Sequence, residues 1–263
     1  MQRKRDPGVP SPSQQQVHSS RVVVSGPPWE LEIPCKPLEP ISDAARQALR
    51  TEAFRINDRY LLDFIEGYSF CPFSRGGRRR NQVSRYFHYA DSCDIAPLLE
   101  LMAEIAADPR QVVAQVVLPL IEVEPKPWVR FVQSLTELGN RRIGDVPTLA
   151  CAALHPQLQF TAANANTLIP LFRRSPDPTI QWVRLDGLEA IYEGRNHRTR
   201  FVPPEDIAEL LATPAPQPLY DRIAESNQSM AARLGLPYIV DMLQDMRHDA
   251  QRSYARVLLA AED

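Results

Sequence analysis

Thr148-Leu-Ala-Cys-Ala-Ala-Leu-His-Pro156 is an apolar run that closes on an imidazole and a proline. Leu149 to Leu154 carry no charge, which fits a strand buried on both faces. Pro156 fixes the backbone directly after His155, so the strand must stop with an ionisable, ligand-type side chain at its end.

Working outward, Val112-Val-Ala-Gln-Val-Val-Leu118 is a second near-continuous apolar run and reads as a central strand. Val83-Ser-Arg-Tyr-Phe-His-Tyr89 carries the aromatic and β-branched residues that suit a third. Helical patterns lie before and between them. Ser42 and Asp43 can cap a helix in which Ala45, Leu49, Ala53, Ile56, Tyr60 and Phe64 recur at steps of three and four through Glu66, ending near Gly67. Asp94 can cap another, with Ile95, Leu98, Leu99, Met102, Ile105 and Ala106 on one face, and a third runs from about Pro127 to Gly139. The order strand, helix, strand, helix, strand predicts an α+β (or α/β) sandwich, a small sheet with helices packed on it. A plait with antiparallel strands and a short doubly wound sheet both fit that order.

Beyond His155, Asn164 to Phe172 predicts a short helical turn. Pro178-Thr-Ile-Gln-Trp-Val-Arg184 is expected to begin a helix, proline being suited to the first turn. Helices are also expected over 204–211, over 219–234 closed by Gly235, and from Pro237 to about Ala260 with Ile239, Met242, Leu243 and Met246 on one face. Residues 1–40 are expected to be a disordered or extended segment, because their first part is rich in proline, serine and glutamine with little to bury. Residues 41–263 then form a single catalytic or binding domain with a helical C-terminal extension.

Thirty basic and thirty-two acidic side chains give a net charge of −2, so no overall field draws the protein toward nucleic acid or an anionic membrane. No apolar run is long enough to span a bilayer, and the first residues lack an apolar signal core, so the cytoplasm is the expected compartment. Cys35, Cys71, Cys93 and Cys151 form no Cys-x-x-Cys pair and are expected to be reduced thiols. A small-molecule substrate is the expected partner, and self-association into a homo-oligomer is compatible with the composition.

Phosphate-loop, dinucleotide, zincin and nucleophile-elbow motifs are all missing from the sequence. What remains is dispersed. His155 can ligate a metal or haem iron, or act as a base, with Gln159 contacting it or a substrate; equally it can cap the last carbonyl of the strand. Cys71, before Pro72, can act as a thiolate nucleophile aided by Arg75 and the arginines at 78–80, ligate haem, or simply pack between Phe70 and Phe73. The run Ser74-Arg-Gly-Gly-Arg-Arg-Arg80 reads as a flexible basic loop. Arg173 and Arg174 precede Ser175-Pro-Asp-Pro178, a rigid turn that suits a guanidinium holding a carboxylate or a haem propionate. Tyr86, Phe87, Tyr89, Phe131, Phe160, Phe172 and Trp182 can line a pocket for a planar cofactor or belong to the core.

Three segments, Ser69-Phe-Cys-Pro-Phe73, His155-Pro-Gln-Leu-Gln-Phe160 and Arg174-Ser-Pro-Asp-Pro-Thr179, occur in the order found in a family of uncharacterised bacterial proteins. Over roughly residues 50–235 the chain resembles this domain-of-unknown-function family 1415. Arg173 stands where the family usually has asparagine, and Gln157-Leu158 replaces an Asp-Tyr-like pair. The resemblance implies a shared fold and a shared site at Cys71, His155 and Arg174, and it implies no particular reaction.

The leading functional expectation is a haem-dependent oxidative enzyme, an oxygenase or N-oxygenase acting on a small amine or amino acid. In it His155 is the axial iron ligand, Arg173 and Arg174 hold the propionates, and Gln159 and Phe160 complete the cofactor site. The first alternative is a transferase or hydrolase with Cys71 as nucleophile, His155 as base and arginines on an anionic substrate. The second is a non-catalytic ligand- or partner-binding protein.

Overall fold

The computed structural model describes residues 31–187 and 219–261. The tail over 1–30 and the expected helix over 204–211 lie outside the described residues. The fold is α+β, with a four-stranded mixed sheet.

Helix α1 (Asp43–Asp58) starts where the capping pattern places it, with the Ser42 hydroxyl accepting from the Ala45 N–H at 3.2 Å. Its buried stripe is Ala45, Leu49, Ala53 and Ile56. The helix continues as a π-helical segment over Arg59–Glu66. Wider π turns shift the helix phase, and here Tyr60, Leu61, Phe64 and Ile65 all become buried. Ser74–Arg79 is a short helix, α2, rather than a flexible basic loop.

Strand β1 (Val83–Phe87) runs parallel to β2 (Val113–Val117), joined through α3 (Ala96–Ala107). Helix α4 (Pro125–Ile143) leads to β3 (Leu149–Leu154), and α5 (Ala165–Phe172) leads to β4 (Thr179–Arg184). The sheet order is β1-β2-β4-β3, with β4 antiparallel to both of its neighbours. The helix expected from Pro178 is therefore a correction: this segment is a central strand. Its reason is chemical. Thr179, Ile180, Trp182 and Val183 are β-branched or aromatic, Ile180 and Trp182 are fully buried on one face, and the slot between β2 and β3 bonds the backbone on both sides. Pro178, which lacks an N–H, uses only its carbonyl, accepting from Leu118 at 3.0 Å.

Helices α3 and α4 cover one face. Leu98, Met102, Ile105, Trp128, Val132 and Leu135 pack there with Ala114, Val116, Ile180 and Trp182 from the sheet. The Trp182 indole N–H donates to the Thr136 hydroxyl and the Trp128 indole N–H to the Leu154 carbonyl, each at 2.9 Å, so both buried rings are satisfied. On the other side, Val117 packs with Leu49, Ala53 and Ile56 of α1 and with Ala250 and Tyr254 of α7 (Leu236–Leu259). Helix α6 (Leu219–Leu234) precedes α7 and ends at Gly235, whose φ of 85° suits glycine. Arg55 forks onto Asp249 with two bonds of 3.0 Å and ties α1 to α7. The C-terminal helix is thus a wall of the domain and lies beside the end of β3.

Candidate functional site

His155 follows the last residue of β3, and its side chain is buried at 2% exposure. Its backbone N–H donates to the Arg173 carbonyl at 3.1 Å. The Gln157 backbone N–H donates to Nδ1 at 3.1 Å, which requires that nitrogen to be bare. The proton then sits on Nε2, which donates to the Val123 carbonyl at 2.9 Å. Burial pulls the imidazole pKa below its ordinary value, and the neighbouring Arg247 charge acts the same way, so the neutral tautomer is favoured. His155 therefore braces three segments: its ring ties the stretch before α4 to its own loop, and its backbone N–H holds the turn after α5. Both ring nitrogens are thus engaged by backbone groups.

Arg174 lies over this loop. Its Nε donates to the Leu158 carbonyl at 2.7 Å and its guanidinium stands 4.7 Å from the centre of the Phe160 ring. Burial holds its pKa below the usual guanidinium value, and no carboxylate among the described residues pairs with it. The terminal amino groups of Arg174 thus retain their donors beside a cleft of about 430 Å³. Glu124 and Pro125 line it from the start of α4, Pro156, Gln157 and Gln159 from the His-Pro loop, and Arg174 and Ser175 from the proline turn. Helix α7 supplies Val240, Leu243, Gln244 and Arg247. Arg247, too, makes no ion pair with a carboxylate among the described residues.

Two of the three motifs are now in one place, interlocked by the Arg173 carbonyl and the Leu158 carbonyl. A family model described as "Protein of unknown function (DUF1415)" matches residues 53–213. The chain belongs to that family. No curated protein and no solved structure gives a match. Within this DUF1415 chain, Glu124, His155 and Arg174 lie inside the matched span, whereas α7 with Arg247 lies beyond it.

Beneath the cleft the same turn holds a buried acid. Tyr254 of α7 donates to Asp177 Oδ2 at 2.6 Å. Burial pushes the Asp177 carboxyl up to about 6, while the Tyr254 bond and the Arg247 charge pull the other way. The Ser175 hydroxyl and the Thr179 hydroxyl both donate to the Asp177 carbonyl, which holds the Ser-Pro-Asp-Pro turn rigid.

Cys71 does not line the cleft. It packs half-buried against the cluster of Tyr60, Phe64, Phe70, Leu154 and Phe172, and burial pushes its thiol up more than the Phe73 and Ser74 backbone N–H groups draw it down. The Tyr60 hydroxyl donates to the Phe172 carbonyl at 2.6 Å, and Arg173 places its charge near that phenol. So Arg173 contributes its carbonyl to His155 and its charge to Tyr60, outside the cleft lining. Among the described residues no hydrogen bond joins Cys71 to His155. The basic run after Cys71 is also accounted for: Arg78 forks onto Glu66 at 3.0 and 2.8 Å, Ser74 donates to it at 2.9 Å, and Arg75 donates to the Glu66 carbonyl at 3.0 Å.

Of the residues singled out from the sequence, Gln159 and Arg174 line the cleft, Phe160 supports Arg174, and His155 holds the loop from behind. Sequence reasoning missed Arg247, Gln244 and Glu124. A signal for the first two existed: Val240, Leu243, Gln244 and Arg247 share one helical face by their three- and four-residue spacing, which extends the apolar stripe with polar side chains. Among the described residues no group of three or more His, Cys, Asp or Glu side chains is arranged to hold a metal ion, and no helix is long and apolar enough to cross a membrane.

Proposed function

We propose that the cleft binds a small organic anion, a carboxylate or phosphate, through Arg174 and Arg247. The observation that carries this reading is that two guanidinium groups from different elements line one cleft and form no ion pair with a carboxylate among the described residues. A partly buried, uncompensated cation is costly, and an anionic ligand offsets that cost through charge-assisted bonds. Preorganisation supports it further. Arg174 is held at Nε and over a ring, so its remaining donors lose little freedom on binding.

The test is thermal unfolding with and without succinate, benzoate and inorganic phosphate, repeated on Arg174→Gln and Arg247→Gln. At about a hundredfold excess over Kd a ligand stabilises by roughly 2.7 kcal/mol. A rise in Tm abolished by either substitution is expected; no response to any of these anions would overturn the reading.

The haem-dependent alternative requires His155 to surrender its bond to Val123 or to Gln157 before it can meet iron. A Soret band in protein purified with haem available, altered in His155→Ala, would replace the anion-site reading. The thiol alternative requires Cys71 to reach a base, and inactivation of ligand binding by a thiol-alkylating reagent at Cys71 would favour it.

A further inference from the structure

Glu124 gives the cleft a third charge, of opposite sign. It occupies the N-cap position of α4 yet makes no capping bond, and no lysine or arginine among the described residues pairs with it. Pro125 and Pro127 remove two N–H groups from the first turn of that helix, so this side of the cleft presents a carboxylate while offering few backbone donors to an anion. Glu124 and Arg247 both line the cleft, Glu124 next to the Val123 whose carbonyl accepts from the His155 ring. They nevertheless form no ion pair with each other. Two arginines and one acid, none of them ion-paired among the described residues, therefore share one cleft.

We infer that the ligand is a zwitterion of the α-amino acid type, with its ammonium group on Glu124 and its carboxylate on Arg174 and Arg247. This rests on the anion-site reading and narrows it. The remaining lining is suited to the rest of such a molecule: Val240 and Leu243 offer apolar surface, and Gln157 and Gln244 offer side-chain amides with no partner among the described residues. A volume of about 430 Å³ lies toward the small end of ligand pockets, which run to about 300–1,000 Å³. The same charge logic disfavours a dianion, because a second negative group near Glu124 meets repulsion.

Titration calorimetry on the full chain tests this with L-leucine and L-glutamine against 4-methylpentanoate and glutaramate, the same skeletons without the amine. The amino acids are expected to bind at least about tenfold more tightly, the scale of one charge-assisted bond. In Glu124→Gln, a change at an exposed side chain, that preference is expected to vanish while the binding of 4-methylpentanoate is unchanged or improved. Equal affinities for the paired compounds in the unaltered protein would overturn the zwitterion inference and leave the anion site standing. A preference for the amine that survives Glu124→Gln would overturn the role of Glu124. No binding by any of the four compounds would overturn the zwitterion inference, the anion site falling with it only if succinate, benzoate and phosphate also leave the Tm unchanged, and carboxylate binding unaffected by Arg174→Gln would overturn the anion site itself.

Discussion

Arg78 follows a proline-containing motif and Arg174 opens one, and their surroundings differ in one respect. The Arg78 fork is met by Glu66, a carboxylate whose side chain is 3% exposed, and Ser74 and Arg75 close the same knot. Arg174 is met by a carbonyl and an aromatic ring, neither of which cancels its charge. The first arrangement fastens the π-helical segment to α2. The second leaves a cation prepared for something else. Density of arginine in the sequence is highest over 75–80, where the charge is matched; the unmatched charge at Arg174 is what supports the proposed site.

Substitutions can break this contrast, and the largest effect is expected at the residue that braces the cleft from behind. His155→Ala removes two side-chain bonds in the interior and leaves the Val123 carbonyl and Gln157 N–H without their partners, a loss of about 3–4 kcal/mol readable in chemical denaturation. Because the folded-state pKa of His155 is depressed, its contribution is present above the unfolded value near 6.5 and is lost as pH falls. The His155→Ala variant should therefore lose less stability than the unaltered protein on going from pH 7 to pH 5.

Next comes Arg78→Ala, which strands the buried Glu66 carboxylate. About 2 kcal/mol is expected, less than for a fully buried pair because the Arg78 side chain is 46% exposed and Ser74 still donates. Bonding to Arg78, foremost, holds the Glu66 pKa below the usual carboxylate range. Its stabilisation is thus present above about pH 4.3 and lost as pH falls, so Arg78→Ala should weaken the acid dependence of unfolding. Ligand binding in the cleft should be unchanged.

Asp177→Asn is expected to go the other way. A carboxyl raised to about 6 in the folded protein contributes stability that is complete below about pH 3.9 and is lost as pH rises through about 6. Asparagine keeps an oxygen for the Tyr254 hydroxyl without a charge to bury. The variant should gain about 1–2 kcal/mol at pH 8, bounded above by the roughly 3 kcal/mol that the full shift represents, and should gain little at pH 4. Equal Tm differences at the two pH values would contradict the assignment.

Much of the scaffold was legible from the chain because burial imposes period on sequence. The stripe of α1, the three apolar strands and the two C-terminal helices follow from spacing and caps alone. Strand β4 was not, since Pro178 suits a helix start as well as a strand entry and only pairing with both β2 and β3 decides between them. The π-helical segment left no mark either, as Tyr60 and Phe64 satisfy an ordinary four-residue step. For the site, Arg174 and Gln159 were visible within a motif, whereas Arg247 sits on a helix far along the chain and becomes a partner only through the fold. Cys71 and His155 share a family pattern without sharing a bond: one packs in an aromatic cluster and the other ties backbone segments.

The central claim is that Arg174 and Arg247 are cations waiting for a ligand rather than parts of the scaffold. The direct measurement is the Tm of the unaltered protein, Arg174→Gln and Arg247→Gln, each with and without a saturating carboxylate. The account predicts that without ligand Arg247→Gln melts within the equivalent of about 1 kcal/mol of the unaltered protein, that Arg174→Gln loses about 2 kcal/mol with its bond to the Leu158 carbonyl, and that the ligand-induced rise is confined to the unaltered protein. Large losses of Tm in the ligand-free variants, together with no response of the unaltered protein to carboxylate, would contradict it.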